Sequence, residues 1–248
     1  MTTLFLDVET LPGMTDAARD KARCDTHPPA SMKRPETIEA WWRDEGDAAV
    51  EAKWRAQALD PASGELAAIG WAIDDGDPEC LVRGLTEPEG DYLRRAIGVI
   101  EQRLQAAAKP ADPLLAPWVE DLQPYVVGFN TMFDVGFLRS RCWSRRVPVP
   151  RWVPSAFARA PRDYGDAMLQ FAGFGGRISL DRLSRALALR SPKEGGFDGS
   201  QVLDAWLAGN HLRIAEYCCS DVSATRAAWQ IMRGEYGDVP AAAQEVQE

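Results

Sequence analysis

The sequence holds little that would anchor or cross-link it. No stretch approaches the about 20 consecutive apolar residues that span a bilayer, and the apolar strand starts almost at Met1 with no basic leader, so neither membrane insertion nor secretion is expected. Cysteines number five, Cys24, Cys80, Cys142, Cys218 and Cys219. The count is odd and the paired spacing of a zinc site is absent, which points to a reducing, cytoplasmic setting. Histidine is scarcer still: His27 and His211 are the only two, and neither has the partner spacing for a zinc site or a nucleophilic triad. GFGGR at 173–177 and GGFDG at 195–199 are glycine-rich but lack the Lys-Ser or Lys-Thr ending of a phosphate cradle, so they read as loops. Internal repeats and low-complexity tracts are missing. Positive charge is also in deficit, with 28 Lys and Arg against 37 Asp and Glu, a net charge of −9.

What is present suits one sizeable core. A chain of 248 residues, 46% hydrophobic, fits a single α/β domain over 1–235, with 11–60 an irregular and helical insertion and 236–248 a disordered tail. Strands are expected at about 3–8, 66–74 and 79–85, the last two joined as a hairpin through DDGDP, and in PYVVGFN. Residues 35–59 read as one or two helices with Gly46 as a possible break, beside the site discussed below. Further helices are expected at 87–108, 133–143, 164–172, 179–189 with Ser179 as N-cap, 199–208 and 211–233.

Carboxylates recur at telling positions. In LFLDVET, strand alternation sends Asp7 and Glu9 to the same face of the pleat. Asp134 in GFNTMFD falls in the first turn of a helix that follows a buried strand, and Tyr217 and Asp221 in YCCSD stand at i and i+4 of a late helix. Carboxylates crowded in a low-dielectric cleft repel one another unless cations neutralise them. All-oxygen ligands suit magnesium or manganese, and a pair of such ions can stabilise both the attacking and the leaving oxygen of a phosphodiester displacement. Taken singly, each segment has a plain explanation: a strand ending in acids, helix-capping Asn and Asp, or an amphipathic tyrosine. All three together, in order, favour a shared site.

FLDVET, VGFNTMFDVGFL and AEYCCSDVSAT resemble, in order and rough spacing, the three motifs of the DEDD 3′-to-5′ exonucleases of the ribonuclease H-like superfamily. The tyrosine four residues before the last aspartate matches the tyrosine subgroup (DEDDy), and the long segment after the first motif resembles stand-alone exonucleases related to the proofreading domain of family-B DNA polymerases. The resemblance implies a ribonuclease H-like mixed sheet flanked by helices, with a helical insertion after the first strand. It also implies two divalent metal ions, Mg2+ or Mn2+: Asp7, Glu9 and Asp221 on one, Asp7 and Asp134 on the other. By the same resemblance Tyr217 would orient the attacking water, Leu11 and Phe133 would pack against the terminal bases, Asn130 would position the substrate or Asp134, and Thr10 would also contact the substrate. The implied partner is the 3′ end of single-stranded nucleic acid, DNA favoured, alongside an unidentified polymerase or repair partner. RNA ends or very short oligonucleotides as substrate, or a catalytically silent nucleic-acid-binding module, are the alternatives.

Charge distribution bears on that partner. Residues 135–162 contain seven arginines and no Asp or Glu, so this segment carries +7 and the remainder −16. With Trp143, Trp152 and Phe157 interleaved it could pair backbone contacts with base stacking. For most of these arginines individually, a solvated helix face and loop is the favoured reading, as it is for Lys193.

Overall fold

In the computed structural model, residues 2–108 and 123–235 are described. Five strands form one sheet: β1 (Thr3–Leu11), β2 (Glu65–Ile73), β3 (Glu79–Val82), β4 (Tyr125–Gly128) and β5 (Gly165–Asp166), in the order β3-β2-β1-β4-β5. Pairing is mixed, antiparallel for β1–β2 and β2–β3 and parallel for β1–β4 and β4–β5. This is the α/β mixed sheet expected from the sequence.

Alternation along β1 divides the core. Leu4, Leu6 and Val8 face one side, where they pack with Tyr92, Leu93 and Ile100 of α4 (Glu89–Ala107) and Val135, Phe137 and Leu138 of α5 (Thr131–Ser144). Phe5 and Leu11 face the other. Phe5 meets α7 (Leu180–Ala186) and the long α9 (His211–Met232) through Leu183, Val222, Ala228 and Trp229. Leu11 joins Trp54, Val202, Trp206 and Ile214 at the far end of that face. Asp7 and Glu9, between Phe5 and Leu11, therefore lie on the α9 side.

The insertion forms α1 (Asp16–Cys24), α2 (Pro35–Trp41) and α3 (Asp47–Arg55). The expected break at Gly46 is instead one π-helical turn, Trp42–Gly46, that carries α2 into α3. Helix α1 falls where an irregular stretch was expected: Thr15 caps it, accepting from the Ala18 amide, but only Ala22 is buried, so the apolar period that signals a helix is missing. Trp54 Nε1 donates to Gly13 O at 2.9 Å and Arg55 pairs with Asp204 at 2.7 Å, which ties the insertion to the end of β1 and to α8 (Val202–Leu207). The expected helix 164–172 opens instead with the two-residue strand β5 and continues as α6 (Ala167–Ala172). The tail 236–248 lies outside the described residues.

Candidate active site

Three elements deliver the acids, and small residues let them meet. On β1, Asp7 pairs with Gly70 of β2, and a Cβ at Gly70 would lie 2.6 Å from Cys218 Sγ. Glycine at that position thus allows α9 to lie against the sheet beside Asp7. Two residues on, the register shifts: Glu9 pairs with Ala68 and Thr10 with Leu66, leaving Ala67 as an extra residue of β2. This bulge bends the pair where Glu9 turns inward, and Glu9 is 8% exposed.

Asp134 arrives from the other side of the sheet. Strand β4 ends at Gly128, Asn130 takes the left-handed conformation (φ 62°, ψ 47°), and α5 starts at Thr131. Gly128 would place a Cβ 3.1 Å from Leu6 O and 3.4 Å from Asp134 Oδ2, so its lack of a side chain brings the first turn of α5 up to β1. Asp166 fixes that turn: its Oδ2 accepts from the Thr131 amide at 2.9 Å while its Oδ1 caps α6 through the Leu169 amide at 3.0 Å. Thr131 Oγ1 also donates to Gly165 O at 2.6 Å. Asp166, which positions the turn carrying Asp134, was missed by the sequence reading. A buried acid at a helix N-cap was the available signal, but it was read as part of a helix.

Helix α9 adds Tyr217, Cys218 and Asp221. Cys218 Sγ lies 3.3 Å from Asp7 Oδ2, and one ligand atom each from Asp7, Glu9 and Cys218 lies within 4.8 Å of the others. Tyr217 rests its ring on Phe197 at 5.3 Å between centroids, and the Arg213 guanidinium lies 5.4 Å from the Phe197 ring.

Electrostatics single out this cluster. Burial, then the charge of Asp221, pushes the Asp7 carboxyl well above the usual range, against a thiol hydrogen bond from Cys218. Burial, then Asp7, Asp221 and Asp134, raises Glu9; burial, then Asp7, Asp166 and Asp221, raises Asp134. Asp221 is raised by burial to about 6, opposed by the Tyr217 phenol and by Lys193. Burial, then Asp221 and Glu9, pushes the Tyr217 phenol up, so it keeps its proton across the physiological range. Asp134 Oδ2 and Asp221 Oδ1 are buried without a hydrogen-bond partner. Such atoms are rare in folded proteins because each forfeits its hydration.

The structure brings Asp7, Glu9, Asp134, Tyr217 and Asp221 together. Of the substrate-contact candidates, Asn130 is exposed, while Thr10 and Phe133 are partly buried, Phe133 lying 5.7 Å from the Phe137 ring. Leu11 is not at the surface: it is 0% exposed inside the core. Part of the basic segment is engaged within the fold rather than on the solvated face expected for its arginines individually, because buried Glu89 draws Arg141 and Arg145 inward. Arg141 and Arg145 bind Glu89 at 2.8 and 2.6 Å, Arg139 donates to Pro154 O at 2.7 Å, and Arg162 pairs with Asp163 at 2.8 Å. Trp152 is buried, while Trp143 and Phe157 are 62% and 90% exposed.

Known proteins agree with this fold. The fold is a mixed α/β sheet flanked by helices on which four acids converge, and residues 114–244 match a family described as predicted 3′-5′ exonucleases related to the exonuclease domain of PolB. The chain belongs to that family, and the matched span contains Asp134, Tyr217 and Asp221. Membership places it among predicted 3′-5′ exonucleases, a class of hydrolases. Its fold is similar to that of the family B DNA polymerase from the hyperthermophilic archaeon Pyrobaculum calidifontis, at TM-score 0.50 and 15% identity, covering 93% of this chain. The chain spans 24% of that polymerase's length. No curated protein sequence matches it. Among the described residues, no helix is long and apolar enough to cross a membrane.

Proposed function

We propose that the chain removes nucleotides from the 3′ end of single-stranded nucleic acid, DNA in preference, hydrolysing the terminal phosphodiester to release nucleoside 5′-monophosphates with two divalent cations, Mg2+ or Mn2+. One observation carries this reading: four carboxyls from three elements, Glu9 and Asp134 buried and Asp7 and Asp221 half-buried, converge with raised pKa values, and two of their oxygens have no partner. Divalent cations fit that donor set, since they would neutralise the acids and occupy the orphaned oxygens. In this reading Asp7, Glu9 and Asp221 hold one ion, and Asp7 with Asp134 holds the other. When bound, such a pair acidifies a water and stabilises the attacking and leaving oxygens of the displaced phosphate.

The chain's own residues do the positioning. Tyr217, protonated, orients the water by hydrogen bonding rather than acting as a base. Asp166 fixes the turn that presents Asp134. Asn130, exposed, and Phe133 in the first turn of α5, with Thr10 beside Glu9, seat the terminal nucleotide; Leu11, enclosed in the core, does not reach it. A cleft of about 480 Å3 next to Tyr217, lined by Arg190, Phe197, Arg213 and Ser220, offers cationic and aromatic contacts for the sugar, phosphate or base. The relation to a DNA polymerase's exonuclease domain supports DNA over RNA. We further propose that residues 1–235 act as one catalytic domain with the 11–60 insertion flanking the site, that it works in the cytoplasm, and that it serves a polymerase or repair partner. Labelled DNA and RNA strands, digested side by side with Mg2+, Mn2+ or excess chelator, test the reading: mononucleotides should appear from the 3′ end only with metal, and faster from DNA. Undiminished release in chelator would refute it.

A further inference from the structure

One side chain in the acid cluster is out of place for magnesium. Cys218 is 0% exposed and its sulfur lies 3.3 Å from Asp7 Oδ2, inside the group formed with Glu9. Hard cations that favour oxygen ligands gain nothing from a thiolate, whereas zinc takes sulfur at about 2.3 Å and carboxylate oxygen at about 2.0–2.2 Å in a tetrahedral shell. Those bond lengths put a sulfur and an oxygen on one zinc about 3.5 Å apart, close to the observed 3.3 Å. Backbone geometry holds the thiol there: the glycine at 70 leaves room for it, and a Cβ would lie 2.6 Å from the sulfur. Independently, Asp134 is 4% exposed and its Oδ2 is buried without a partner. Its interaction with Asp7 and Glu9 shows that it faces the same cluster.

We propose that Asp7, Glu9 and Cys218 form a binding site for zinc, and for thiophilic divalent cations as a class, that overlaps the site of the working ions. On binding, the Cys218 thiol releases its proton to solvent as the sulfur–metal bond forms. Zinc and the working pair then exclude each other, because both need Asp7 and Glu9. That exclusion rests on the exonuclease reading given above; the zinc site itself does not.

Cadmium tests it, since a thiolate–cadmium bond has an ultraviolet charge-transfer band that carboxylates lack. Metal-free full-length protein titrated with Cd2+ should show that band, saturating at one equivalent, and Zn2+ should displace it. Cys218→Ser should abolish the band and weaken Zn2+ binding by more than the roughly 10- to 100-fold that loss of an outer-shell partner causes. Asp7→Asn should weaken it as well, and a Cys80→Ser/Cys219→Ser double variant should keep the band. Retention of the band in folded Cys218→Ser, its loss in the double variant, or unchanged cadmium affinity in Asp7→Asn would each overturn the site. Should Cys218→Ser fail to fold, the cadmium NMR shift of wild-type protein decides: a shift in the all-oxygen range overturns the proposal, and one displaced toward sulfur coordination supports it. Magnesium-dependent nucleotide release, measured on the same wild-type preparation, separates the two ideas. A band without release removes the exonuclease reading and leaves the zinc site; release without a band does the reverse.

Discussion

Glu65 and Glu89 are as buried as Glu9 and Asp134, at 7% and 4% exposure against 8% and 4%, yet the two groups are treated oppositely. Glu65 meets the Arg83 guanidinium at 2.6 Å, and Glu89 holds Arg141 at 2.8 Å and Arg145 at 2.6 Å while accepting from the Leu66 amide at 2.8 Å. Burial would raise the Glu89 carboxyl, but the arginines bring it below the ordinary range. Among the described residues neither Glu9 nor Asp134 has an arginine ion pair; burial acts first and neighbouring acids add to it. The lesson is that burial depth alone does not mark a functional acid. What marks it is a missing internal counter-charge, since the fold shows elsewhere that it can supply one.

The comparison can be broken most severely at Asp7. Asp7→Asn should reduce mononucleotide release at saturating Mg2+ by several orders of magnitude, while thermal melting of the metal-free protein is unchanged or rises, because a repelled buried acid has been removed. A folded variant with near-normal turnover would take Asp7 out of the site. Glu89→Gln should do the reverse. It leaves Arg141 buried and short of charge, so denaturant unfolding should show a loss of about 3–5 kcal/mol. If Glu89→Gln is neutral while Asp134→Asn is destabilising, the contrast between the two groups fails.

Tyr217→Phe sharpens it. The ring packing against Phe197 survives and only the hydroxyl goes, so single-turnover rates should fall by about 10²-fold with little change in metal or substrate affinity. A wild-type rate would leave the tyrosine a purely packing role. The gentlest test is pH. Asp221 is raised to about 6 in the fold. A group raised above its unfolded value favours the folded state when protonated, and that contribution is lost as pH climbs through the folded value. Relative to Asp221→Asn, metal-free wild-type protein should therefore lose thermal stability as pH climbs from about 4 through about 6, and saturating Mg2+ should cancel the difference. A melting-temperature difference flat over that range without metal would remove the raised carboxyl.

Much of this was legible in the sequence for a physical reason: strand and helix periodicity are local, so FLDVET and YCCSD each declare which side chains share a face before any tertiary contact forms. Asp134 was legible because it lies in a helix first turn after a buried strand. Other features depend on partners distant in sequence. Strand β5 is two residues long and exists only by pairing with β4. Asp166 matters through Thr131, 35 residues away, and Cys218 through Asp7, 211 away. The fate of the arginine-rich segment was hidden for the same reason, since Glu89 lies 52 and 56 residues from the arginines it holds. Leu11 shows the converse limit. Its position in a motif suggested contact with substrate, but strand alternation beside Trp54 and Trp206 places it in the core.

That separation of 211 residues between Asp7 and Cys218 also sets when the enzyme comes into being. A chain is made from its N-terminus at about 5–20 residues per second, so the sheet acids leave the ribosome tens of seconds before α9 can dock against Gly70. Until then Asp7 and Glu9 lack Tyr217 and Asp221, and the acid cluster is incomplete. The candidate site is complete only once α9 has been made and docked, after the strands and α5 have had time to settle.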